Sequence, residues 1–129
     1  MTNIAVAAKL AVEAIEIEKG EFNIQCLVAR ENLNQRWDLV LAADWLNGST
    51  MQITQYLIDN IVMKFTLEEL SDFNAVLVIK ANEETEFSRN LKKAIGHFHG
   101  RGIPLHWDGS PVEYETKIPQ ARFIIPLSF

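Results

Sequence analysis

Ala75 to Ala81 reads AVLVIKA, an apolar run broken only by Lys80. Val, Ile and Leu suit the pleated strand, and a segment apolar at odd and even positions alike suits a strand covered on both faces. Read as the inner ribbon of a sheet, it calls for helices above and below and further strands beside it. The flanking sequence supplies both.

Just upstream, residues 51–65 space Ile53, Leu57, Ile61 and Phe65 four apart, with Ile58 and Val62 widening the stripe, the pattern of an amphipathic helix. Ser49 or Thr50, after the Asn47-Gly48 break, is placed to cap it. Thr66 and Glu69 then form the Thr-x-x-Glu capping box of a short second helix. Downstream, Asn82 is placed to cap a helix from 83 to about 99, with Glu83, Glu84 and Glu86 at its positive end. Phe87, Leu91, Ala94 and Phe98 line the inner face of that helix.

Further toward the N-terminus, Phe22 to Arg30 and Trp37 to Ala43 read as two strands. The polar segment Glu31–Arg36 joins them in an antiparallel hairpin. Residues 3–18 place Ile4, Ala8, Ala11 and Ile15 on one helical stripe with Leu10, Ala14 and Ile17 beside it. Lys9, Glu13 and Glu16 lie on the other side, and Gly20 ends the helix. Ile15 to Glu18 also alternates with period two, so a strand there is the competing reading.

Four of the six glycines lie between Gly96 and Gly109, and all four prolines between Pro104 and Pro126. That punctuation predicts short strands and turns: Ile103–Trp107, a turn at Asp108-Gly109, Val112–Ile118, and a final apolar run from Ala121 to Phe129. The order α-β-β-α-α-β-α-β-β-β defines a single α+β domain over residues 1–129. We expect one mixed or mostly antiparallel sheet of about six strands with three to four helices packed on it.

With 129 residues, 48% of them hydrophobic, the chain is long enough for one core and too short for two. Twelve basic residues against 17 acidic ones give a net charge of −5, which argues against phosphate-backbone binding, so no nucleic-acid partner is expected. No apolar run approaches the roughly 18 residues of a membrane span, and no basic n-region precedes the Ala-rich start. Cys26, the single cysteine, excludes an intrachain disulfide, and the cytoplasm is the expected compartment. Its setting, FNIQCLVA, fits a small buried hydrophobe better than a nucleophile.

His97, His99, His106 and Asp108 bring all three histidines and one acid within 12 residues, the donor types of a divalent-metal site. On a continuous helix, however, His97 and His99 point to different sides. A second group is Glu31, Asp38 and Asp44, with Lys80 on the apolar strand. A helix followed by a hairpin bearing acids and a lysine resembles the restriction-endonuclease-like nucleases, in which two acids hold magnesium and a lysine helps activate water. The resemblance is incomplete, because the acid-spacer-lysine triplet of that family is missing: Val78-Ile79 precede Lys80. No phosphate-binding glycine loop and no GxSxG elbow occurs, so no cofactor is expected. Trp45 and Leu46, before the Gly48 break, form the first choice for an exposed apolar patch. Tyr114 sits in an alternating segment, 112–118, that suits an edge strand open to another chain.

These residues predict an acidic, non-catalytic protein that acts through protein–protein contact or self-association, a homodimer included. The alternative is a metal-dependent, nuclease-like hydrolase using the His97/His99/His106/Asp108 group or the Asp38/Asp44 group.

Overall fold

The computed structural model describes residues 3–30, 36–80, 84–96, 105 and 111–127. The first helix, α1, runs Asn3–Lys19 and ends at Gly20, whose N–H donates to the Glu16 carbonyl at 3.0 Å. Gly20 has φ +120°, a conformation that side chains with a Cβ rarely adopt. Strands β1 (Ile24–Ala29) and β2 (Trp37–Ala42) form the antiparallel hairpin expected from the sequence, with Cys26 opposite Val40.

Helix α2 (Thr50–Asn60) and helix α3 (Leu67–Ser71) both begin with reciprocal capping boxes. Ser49 Oγ accepts from the Gln52 N–H at 3.1 Å and Thr66 Oγ1 accepts from the Glu69 N–H at 3.1 Å. Each bond satisfies a donor that the helix itself leaves open. The chain returns through β3 (Phe73–Val78), parallel to β2, with a bulge where Trp37 and Asp38 face Phe73 and Ala75.

Helix α4 spans Glu86–Gly96. Its cap is Thr85, three residues after the expected one: the Ser88 N–H donates to Thr85 Oγ1 at 3.1 Å, and the Thr85 N–H donates to Ser88 Oγ at 2.9 Å. Asn82 and Phe98 lie outside the described residues. The strand expected at 112–118 shortens to β4, Tyr114–Glu115, and the last run forms β5, Phe123–Pro126. Of the strand expected at 103–107, only Leu105 is described, and it bridges antiparallel to Pro111.

The sheet order is β3-β2-β1-β5-β4, five strands in which β2–β3 is the parallel pair. Among the described residues the protein is therefore an α+β domain built on one mixed sheet with four α-helices, as the sequence predicts. One core cluster lies on the α1/α2 face and holds Ile4, Val12, Leu27, Leu39, Leu41, Leu57 and Ile125. The other holds Ile24, Cys26, Val28, Val40 and Ile124 beneath Leu91 of α4. At roughly 1.5–3 kcal/mol per fully buried large apolar side chain, these two layers are the main stabilising term.

One expectation is overturned. Residues 75–80 are not the inner ribbon, because among the described residues β3 ends the sheet and its residues are half-buried or exposed. The inner positions belong to β1, all six of whose residues are buried, and to β2. Apolarity on both faces is a property of the segment's own side chains. It carries no information about neighbours in the hydrogen-bonding direction.

Candidate functional site

The histidine group falls outside the described residues: His97, His99, His106 and Asp108 all do, as does Glu31. Among the described residues no group of three or more His, Cys, Asp or Glu is placed to hold a metal ion. Asp38 and Asp44 are not brought together. Asp38, the second residue of β2, accepts from Asn74 Nδ2 at 2.7 Å, while Asp44 lies beyond the other end and accepts from Asn23 Nδ2 at 3.0 Å. At about 3.3 Å per residue the two carboxylates are on the order of 20 Å apart, too far to share one ion. Lys80 follows the far end of β3, so it stands at the Asp44 end of the sheet.

Cys26 is fully buried in β1, and burial pushes its thiol up to about 12. A thiol so far from ionisation is a packing group, because the thiolate is the reactive form.

Trp45 is half-buried. Its Nε1 donates to the Glu21 carbonyl at 3.1 Å, and its ring meets Phe22 at 5.2 Å and the edge of Tyr56 at 6.5 Å. Leu46 is buried, at 7% exposure. Both line a small groove of about 240 Å³ with Lys19, Asn47, Gln52 and Tyr56, and the Lys19 ammonium sits 5.7 Å from the Tyr56 ring centre. Tyr56 Oη has no hydrogen-bond partner among the described residues. Burial, with Glu18 adding repulsion, raises the Tyr56 pKa. Tyr114 is half-buried on β4.

Two surfaces escaped the sequence reading. The first is the outer side of α1, where Val6, Leu10 and Ile17 are 39%, 62% and 89% exposed. They stand opposite the buried stripe of Ile4, Ala8, Val12 and Ile15, so α1 is apolar on two opposed sides. A groove of about 600 Å³ runs between Val6, Leu10 and Ala14 and the segment Lys64–Glu69.

The second is the β3 edge. Ile79 donates its N–H to the Leu41 carbonyl at 2.9 Å, so Ile79 turns its main chain toward β2. Strand alternation then turns Ala75 and Leu77 the same way and leaves the N–H and C=O of Val76 and Val78 pointing outward. Among the described residues no strand lies beyond them. Phe73–Val78 has no proline and no charged residue, and Leu77 is 38% exposed. The opposite edge is different: β4 has two residues and is flanked by Pro111, Glu113, Lys117 and Pro119, and Glu115 accepts from Arg122 at 3.4 Å. Short length, charge and proline are the usual protections of a sheet edge. Here β4 has all three, whereas β3 is six residues long with no charge or proline within it.

No family model, curated protein or solved structure matches the chain. No described helix is long and apolar enough to cross a membrane.

Proposed function

We propose that the protein is a non-catalytic binding protein that takes up an extended chain segment along β3 by strand addition. The observation that carries this reading is the contrast between the two sheet edges: six uncharged, proline-free residues at β3, five of them apolar, against two residues at β4 set among charges and prolines. In strand addition the main chain supplies the affinity and alternate side chains supply the selectivity. Val76 and Val78 offer the donors and acceptors, and Leu77 offers an apolar contact that is 38% exposed before binding. A cytoplasmic location goes with this reading and is supported by the buried, unpaired Cys26.

The test is Val76→Pro. Proline removes the outward N–H and is tolerated at sheet edges. Native mass spectrometry of the protein taken directly from its host should show a bound polypeptide, another copy included, on the wild type and none on the variant. A wild-type chain that is bare, or a complex that Val76→Pro leaves intact, overturns the reading.

A further inference from the structure

We infer that the segment added at β3 is the β3 strand of a second copy, paired antiparallel about a two-fold axis at Val76. The inference rests on the strand-addition reading and names its partner. A closed dimer of identical chains uses the same patch on both subunits, and two identical edges obey that rule only when they run antiparallel.

Charge selects the register. Asp72 precedes β3 and Lys80 follows it, and neither side chain forms an ion pair among the described residues. Placing Val76 against Val76 of the partner subunit brings Asp72 of each copy to the Lys80 end of the other. One pairing thus unites both charged ends at once, and symmetry doubles it. Glu68 and Glu69 make the Asp72 end more acidic still, so a parallel pairing would set acid beside acid, which opposite-charge matching avoids. The same register sets Leu77 beside Ala75 of the partner subunit and covers an apolar side chain that is now 38% exposed. The outward N–H and C=O groups of Val76 and Val78 gain main-chain partners, and the two five-stranded sheets join into one.

The test is a charge-reversal set followed by sedimentation equilibrium over a wide concentration range. Wild type should dimerise. Asp72→Lys and Lys80→Asp should each weaken the dimer by about tenfold, because each places like charges at both ends of the paired strands. The double variant should return to within about threefold of wild type, since it restores both pairs with the signs exchanged. Circular dichroism on every variant separates weaker association from failure to fold, and Val76→Pro serves as a folded monomer control. A wild type that stays monomeric throughout, or a dimer indifferent to both single reversals, overturns the inference. If that monomer still carries a different polypeptide from its host, and Val76→Pro releases it, strand addition stands and only the second copy falls. If Val76→Pro releases nothing, both fall.

Discussion

Leu57→Ala tests how α2 is held to the sheet. Leu57 is 0% exposed and belongs to the cluster that holds Leu27, Leu39, Leu41 and Ile53. Truncation removes buried methyl and methylene groups and leaves a cavity that a helix docked on a sheet fills poorly, which costs about 2–5 kcal/mol. Against a total stability of roughly 5–15 kcal/mol that is a large fraction, and 3 kcal/mol should lower the thermal midpoint by roughly 10–15 °C at this chain length. The control is Leu10→Ala on α1, chemically the same change at a residue 62% exposed. It should stay within about 0.5 kcal/mol of wild type, as surface substitutions do. Urea unfolding at equal protein concentration reads both, with an unchanged denaturant slope showing that the unfolded reference is the same. A Leu57→Ala cost under half a kcal/mol would refute the packing of α2. A Leu10→Ala cost equal to it would refute the outward placement of Val6, Leu10 and Ile17.

Burial of Cys26 sets a pH dependence. The native thiol titrates near 12 and the unfolded thiol at about 9.0, so the native state keeps its proton longer. Cys26 therefore costs no stability below pH 9 and up to about 1.4 kcal/mol per pH unit above it; Cys26→Ala should abolish that part of the alkaline loss, and equal slopes for the two proteins would contradict the burial. Gly20→Ala should destabilise by about 1–3 kcal/mol, because φ +120° strains an L side chain and the added Cβ would meet Trp45 Cδ1 at 3.2 Å; a neutral substitution would show that the α1 terminus is formed differently.

Much of the fold was legible because its determinants are local. The capping box at Thr66 and Glu69, the four-residue spacing through Ile53 and Leu57, and the stop at Gly20 each act over a few residues, and each is found where the sequence puts it. The failures are positional. AVLVIKA looks central because it is apolar at every position but Lys80, although Leu77 is 38% exposed, whereas Gln25 in β1 masks a truly inner strand by placing a polar side chain among apolar ones. That side chain is 5% exposed and donates through Nε2 to Glu16 Oε2 at 3.1 Å, a long-range contact that no local pattern encodes. On α1, Leu10 and Ile17 read as a broadening of the core stripe, but the helix has apolar residues on both sides and the sheet covers one. The unguarded β3 edge was invisible for a related reason: an edge is defined by which strands stand beside it. The available clue was comparative, the density of charge and proline around 111–119 against its absence from 73–78.

Residue-resolved amide exchange on β3, followed as a function of protein concentration, tests the account most directly. In dilute protein the Val76 and Val78 amides should exchange quickly, while those of Leu77 and Ile79, turned toward β2, stay protected. Raising the concentration should slow Val76 and Val78 selectively as copies pair. Slow exchange at Val76 and Val78 in the dilute monomer would contradict the account, because it would mean that the edge is already occupied within a single chain.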